Sequence, residues 1–159
     1  EHPALFSDGA VEVRSQALEL SSDLNLEQAI AALLAKLSQT TGYISIHAYL
    51  DRHSAGSASE LRDLLARRTG RPVTFGWGPR FLHSTGQYHK GGPKQGVFLQ
   101  LTAKASRDFA VPGRDFSFGE LISSQAAGDA NVLAELGLPV LRLNFTDVAA
   151  GLAQLKSAI

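Results

Sequence analysis

Four apolar runs of strand length, set between stretches with helical periodicity, constrain this chain to an alternating fold. Tyr43 to Leu50, Pro72 to Trp77, Gly96 to Ala103 and Pro139 to Phe145 read as strands. Asn25 to Leu37 carries Leu26, Ile30, Leu33, Leu34 and Leu37 on one helical face, with Asp23 or Asn25 as its cap. Ser57 or Ser59 opens a second helix through Leu61, Leu64 and Leu65 that stops at Gly70. Phe118 to Leu136 spaces Leu121, Ile122, Ala126, Val132 and Leu133 as a helix ended by Gly137, and Val148 to Ile159 forms a last helix. Strand cores such as Val97-Phe98-Leu99 and Val140-Leu141 lack polar alternation, which suits a sheet covered on both faces. The prediction is an α/β fold: a three-layer α/β/α sandwich, doubly wound around a mainly parallel sheet. Leu5 to Leu20 fits a strand or a helix, so residues 1–21 are a segment of open structure and residues 22–159 the α/β domain. No repeat, low-complexity tract or linker divides the chain.

Composition narrows the classes of function. The 159 residues are 44% hydrophobic, 19% charged and formally neutral, enough for one core and without an overall attraction for nucleic acid. No apolar run approaches the roughly 20 residues that span a bilayer, and the N-terminus lacks the basic-then-apolar layout of a secretory signal. A cytoplasmic protein without membrane partners is expected. Because cysteine is absent, only histidine and carboxylates remain as ordinary metal ligands. His83 and His89 have no carboxylate near them in sequence, so no metal site is expected. The chain begins at Glu1 and contains no methionine, which suggests a piece of a longer protein.

The densest chemistry lies in Gly78-Pro79-Arg80-Phe81-Leu82-His83-Ser84-Thr85-Gly86-Gln87-Tyr88-His89-Lys90-Gly91-Gly92-Pro93. A connector needs only flexible polar residues. This stretch supplies two imidazoles able to titrate near neutral pH, several donors, and glycines that bring backbone amides close to a ligand. It reads as a glycine-rich loop following a strand of a parallel sheet, where ligands bind beyond the carboxyl ends. No acidic residue falls between Asp63 and Asp108, while Arg67, Arg68, Arg71, Arg80, Lys90, Lys94, Lys104 and Arg107 all do. Such a field suits a phosphate or another small anion. Arg67, Arg68 and Arg71 are better explained as the cationic end of a helix, whereas Arg80 and Lys90 are assigned to an anion.

Other candidates read as structural. His47 alternates within a strand beside Ile44 and Ile46, as a hydrogen-bonded core histidine does. His53 is a loop residue, and His2 lies near a terminus. Trp77 could stack on a sugar, but a strand-end aromatic more often packs against a helix. Ser84 and Thr85 serve equally as phosphate ligands or turn residues, and Ser84 lacks the Gly-x-Ser-x-Gly context of a nucleophile.

The run GPRFLHSTGQYHKGGP, with YISIHAYLD before it and GVFLQLTA and FGELISSQAAGDANVLAELGLPVLRL after it, resembles the C-terminal part of glucose-6-phosphate isomerases. The likeness is to the bacterial type also found fused behind a transaldolase, and it extends from about residue 22 onward. It implies a sugar-isomerase (SIS-like, flavodoxin-like) domain that binds a phosphorylated sugar and is completed by an N-terminal isomerase domain. It also implies a homo-oligomeric parent and no cofactor. The implied chemistry interconverts glucose 6-phosphate and fructose 6-phosphate. An acid/base opens the sugar ring, and a carboxylate then moves a proton through a cis-enediolate.

The family's ring-opening histidine follows a Gly-Gln pair. Here Gly86-Gln87 is followed by Tyr88 and then His89, so the resemblance assigns that role to His89, with His83 as fallback. The family's base is a glutamate at a helix start roughly thirty residues earlier, where Glu60 stands, although Ala58-Ser59-Glu60-Leu61-Arg62 departs from the family motif. Arg80 and Lys90 stabilise anionic oxygen on this reading, and His83, Ser84, Thr85 and Gln87 complete the substrate contacts. The family's C-terminal lysine has no secure match, since the surroundings of Lys156 differ. The phosphate loop and the enediolate-stabilising arginine of the other domain have no counterpart here, so the chain carries half an active site. The alternative is a non-catalytic sugar-phosphate-binding or regulatory domain of the same fold.

Overall fold

A strand running Tyr43–Tyr49 carries two kinds of side chain in alternation, and the two faces of the sheet inherit their characters from it. In the computed structural model, which describes residues 2–159, Ile44 and Ile46 enter a large apolar core on one face. Tyr43, Ser45, His47 and Tyr49 face the other way. The elements in order are β1 (Phe6–Asp8), β2 (Val11–Gln16), α1 (Leu26–Leu34), β3 (Tyr43–Tyr49), a 3-10 turn at Gly56–Glu60 and α2 (Leu61–Thr69). There follow β4 (Val73–Trp77), a second 3-10 turn at Arg80–His83, α3 (Thr85–Gly91), β5 (Gly96–Ala103), α4 (Phe118–Glu135), β6 (Val140–Phe145) and α5 (Val148–Ala158).

The strands form one sheet ordered β1-β2-β6-β5-β3-β4. Pairings β3–β4, β3–β5 and β5–β6 are parallel, whereas β1–β2 and β2–β6 are antiparallel. The fold is therefore α/β, with a mixed, mostly parallel sheet between helical layers. Connection handedness decides which helix goes where. The step from β3 to β4 runs one way along the sheet, and the steps β4 to β5 and β5 to β6 run back, so right-handed crossovers put α2 on one face and α3 and α4 on the other. Leu61 and Leu65 of α2 accordingly share the large core with Leu26, Ile30 and Leu33 of α1 and Leu152 and Leu155 of α5. Ala126, Ala130 and Leu133 of α4 pack on the opposite face with Tyr43, Tyr49 and Phe98.

Local chemistry sets the ends. Asn25 accepts from the Gln28 amide while the Gln28 side chain accepts from the Asn25 amide, a capping box that starts α1. Gly70, at φ +65, ends α2 in the left-handed conformation. Neither Ser57 nor Ser59 caps α2, because both fall in the preceding 3-10 turn. The segment before residue 22, open between strand and helix in the sequence, is a hairpin on the two-residue turn Gly9-Ala10, with Gly9 at φ +55. Its Val11 and Val13 are fully buried in the large core.

The stretch from Gly78 to Pro93 is not the loop its glycines suggest. It folds as a 3-10 turn followed by α3. The connection must carry the chain from edge strand β4 past β3 to β5, and a short helix laid over β3 spans that gap. Among the described residues, no helix is long and apolar enough to cross a membrane.

Candidate functional site

Since α3 passes over β3, it sets His89 against the polar face of that strand. The His89 ring lies across two β3 side chains, with Nδ1 3.2 Å from His47 Nε2 and Nε2 3.2 Å from Ser45 Oγ. Ser45 Oγ is also 3.0 Å from His47 Nε2, and Thr74 on β4 donates to it at 2.8 Å. His47 Nδ1 faces Asp129 Oδ2 at 3.2 Å, and Lys90 Nζ reaches Asp129 Oδ1 at 2.6 Å as an ion pair rather than an aligned hydrogen bond. Asp129 arrives from α4, where Ala126, Asp129, Ala130 and Leu133 form the buried stripe. Ser45, His47, His89 and Asp129 are 1%, 2%, 4% and 4% exposed.

Apolar rings seal the cluster. Phe81 lies 4.2 Å from the His47 ring centroid, and Phe98 packs 5.4 Å from His47 and 5.3 Å from His89. Tyr43 lies 6.0 Å from His89. The polar row continues across the sheet: His47 is in register with Gln100, and Gln100 with Arg142. Arg142 Nε donates to Gln100 Oε1 at 2.8 Å, and Gln100 Nε2 to the Ala126 carbonyl at 2.8 Å. Gly78 lets the chain leave β4 at this wall, for a Cβ there would stand 2.6 Å from the Tyr49 ring.

Burial decides the protonation states. Loss of water lowers the His89 pKa to about 4, and the neighbouring His47 adds to the effect. Burial also lowers His47, against the hydrogen bond and charge of Asp129 that favour its cation. Burial pushes Asp129 toward protonation, but the His47 hydrogen bond and Lys90 outweigh it and hold the carboxyl below its usual range. The centre is thus two neutral imidazoles beside a carboxylate neutralised by Lys90. Asp129, His47 and Ser45 have the connectivity of a hydrolase triad, yet Ser45 lies beneath α3, out of reach of an acyl group. Proton relay remains the chemistry open to the cluster. Among the described residues, no group of three or more His, Cys, Asp or Glu side chains could hold a metal ion.

The residues singled out in the sequence divide three ways. His89 and Lys90 enter the buried cluster, and Lys90 is committed to Asp129 rather than free for an anion. Arg80, His83, Ser84, Thr85 and Gln87 form an exposed rim that runs from the 3-10 turn after β4 into the first turn of α3. There Ser84 Oγ donates to the Phe81 carbonyl and Gln87 Nε2 to the Leu82 carbonyl. Glu60 does not meet His89. It sits where the 3-10 turn joins α2, whose flanking Ala58 and Leu61 pack into the core on the opposite face, and it pairs with Lys156 at 2.9 Å.

The basic window is likewise dispersed. Arg67 donates to the Asp63 carbonyl, Arg68 to the carbonyls of Ala158 and Ile159, and Arg71 to those of Gly42 and Thr40. Trp77 packs edge-on to Phe75 at the border of the large core. His47 is hydrogen-bonded and buried, as its alternation predicts. Asp129, Ser45 and Thr74 escaped the sequence reading. Their signal was a carboxylate on the buried stripe of α4 and a hydroxyl alternating in step with His47.

No family model matches the sequence, and no curated protein matches it. Solved structures do match. One is the crystal structure of the hypothetical protein TT0462 from Thermus thermophilus, similar at a TM-score of 0.66 and 18% identity over 86% of this chain. The chain covers 38% of that protein's length. At this identity the likeness establishes the fold alone.

Proposed function

We propose that this chain is a sugar-phosphate-binding domain of the glucose-6-phosphate isomerase type, acting within a larger enzyme that interconverts glucose 6-phosphate and fructose 6-phosphate. The observation that carries the reading is the placement of His89. The run GPRFLHSTGQYHKGGP that resembles the family puts this imidazole on a charge-neutral, hydrogen-bonded relay, while Arg80, His83, Thr85 and Gln87 stand exposed alongside. A neutral imidazole accepts a hydroxyl proton and returns it, which ring opening requires. The isomerisation moves protons only and needs no cofactor.

The remaining groups come from outside this domain. Glu60 and His89 occupy opposite faces of the sheet, so the carboxylate base and the phosphate cradle belong to an N-terminal isomerase domain or to a second chain of a homo-oligomer in the cytoplasm. The isolated chain binds sugar phosphate without turning it over. The enclosure of His89 also favours a second reading, a non-catalytic or regulatory binding domain of the same fold.

Calorimetry on the chain, with 5-phosphoarabinonate as an enediolate mimic and inorganic phosphate at matched ionic strength, tests the shared claim. Tighter binding of the sugar acid, weakened by Arg80→Ala, supports a sugar-phosphate site. Equal affinities, unchanged in the variant, refute it. If the sugar acid binds, His89→Gln in the intact enzyme separates the two readings, because near wild-type isomerisation would leave only the binding role.

A further inference from the structure

The buried cluster has an outlet. Thr74 is exposed on edge strand β4, in register with Ser45 of β3, and donates its hydroxyl proton to Ser45 Oγ at 2.8 Å. From there, contacts of 3.0 Å to His47 Nε2 and 3.2 Å from His47 Nδ1 to Asp129 Oδ2 continue the path inward. Asp129 is an ionised acceptor with only lone pairs to offer, so His47 must present its N–H at Nδ1 and a lone pair at Nε2. Donors then all point one way, Thr74 to Ser45 to His47 to Asp129. His89 bridges the middle of this chain: with its N–H at Nε2 it donates to the second lone pair of Ser45 Oγ, and with its N–H at Nδ1 it donates to His47 Nε2 while Ser45 turns its proton to His89 Nε2.

We propose that Thr74, Ser45, His47 and Asp129, bridged by His89, form a proton conduit between the solvent edge of β4 and the Asp129–Lys90 pair. A proton entering at Thr74 Oγ1 forms a new O–H bond there as Thr74 passes its own to Ser45. Ser45 passes its proton to His47 Nε2, directly or through His89, and His47 releases the Nδ1 proton to Asp129 Oδ2. Each intermediate group ends with the proton count it began with. The net change is one proton taken from water, or from a hydroxyl bound at the edge, and placed on the Asp129 carboxylate. The reverse sequence returns it. Only the identity of that bound hydroxyl as part of a sugar rests on the proposed function; the conduit does not.

The test uses the 159-residue chain without ligand. Exchange of the His47 imidazole N–H with water is followed by NMR in the wild type, Thr74→Val and Thr74→Ser, with the backbone amides of β3 as a control for opening of the sheet. Valine keeps the branched shape and removes the hydroxyl, whereas serine keeps the hydroxyl. The conduit predicts at least tenfold slower exchange in Thr74→Val, a return toward the wild-type rate in Thr74→Ser, and unchanged β3 amides. Equal rates in wild type and Thr74→Val overturn it. So does slowing that serine fails to rescue, or a parallel change in the β3 amides, since either makes the effect one of packing or opening. None of these results depends on whether 5-phosphoarabinonate binds.

Discussion

His47 and Asp129, 82 residues apart in the chain, meet Nδ1 to Oδ2 at 3.2 Å beneath the helical layer formed by α3 and α4. This contact joins central strand β3 to α4, and Lys90 on the other oxygen of Asp129 draws in α3. Three elements therefore share one carboxylate.

Removing that carboxylate leaves a buried imidazole N–H without its acceptor and Lys90 without its counter-ion. Asp129→Ala is expected to lower stability by about 3 kcal/mol, the range for breaking a buried charged contact from one side. Urea denaturation read by far-UV circular dichroism measures it. A loss under about 1 kcal/mol would mean that the contact does not organise this face.

Acid should destabilise the fold in a defined window. The folded chain keeps His89 neutral to about pH 4, whereas an unfolded histidine protonates near 6.5, so between those values the unfolded state binds more protons. Stability is complete above about pH 6.5 and falls as pH drops toward 4, by up to about 1.4 kcal/mol per pH unit for each histidine so held. His47, also lowered, acts in the same direction, and protonation of Asp129 extends the loss to lower pH. At the alkaline end, burial raises Tyr43 from 10.0 to about 12, so stability declines as pH rises between those values. Denaturation midpoints from pH 4 to 11 check both limbs, and a flat profile between pH 7 and 5 would contradict the neutral histidine pair.

Glu60 tests the separation of the two faces. Its pairing with Lys156 is an exposed contact, so Glu60→Gln should change stability by no more than about 0.5 kcal/mol. It should also leave the affinity of the isolated chain for 5-phosphoarabinonate within twofold. A tenfold loss of affinity would place Glu60 at the ligand.

Gly78→Ala probes the wall of the site. The added methyl stands 2.6 Å from the buried Tyr49 ring, which already packs in a T-shaped pair with Phe81 at 5.7 Å between ring centroids. Overpacking of this kind costs about 1–3 kcal/mol, and thermal melting of the variant should show it. A stability equal to wild type would mean that Tyr49 moves freely.

What the sequence displayed was mostly short-range. Gly96 to Ala103 reads as a strand from its unbroken apolar run, and Asn25 and Gly70 mark helix ends through their own side-chain and backbone chemistry. Gly78 to Pro93 misled because glycine and polar content signal a loop, while the demand for a helix comes from strand order, which no local pattern records. The amino-terminal hairpin was obscured by the brevity of β1, three residues with no periodicity to detect. His89 and Lys90 stood out as reactive groups in the sequence, but their partners did not. Asp129 is distant in the chain and shows only as a carboxylate on an apolar stripe. Lys90 read as an anion ligand because its counter-ion was invisible at that level.

The most direct test of a sugar-phosphate site is an amide-resolved NMR titration of this chain with 5-phosphoarabinonate, run beside inorganic phosphate at equal ionic strength. Saturable shifts centred on Gly78 to Gly92, larger for the sugar acid than for phosphate, are the expected result. Equal, diffuse shifts at scattered basic residues such as Lys94 and Arg107, or none at all, would contradict it.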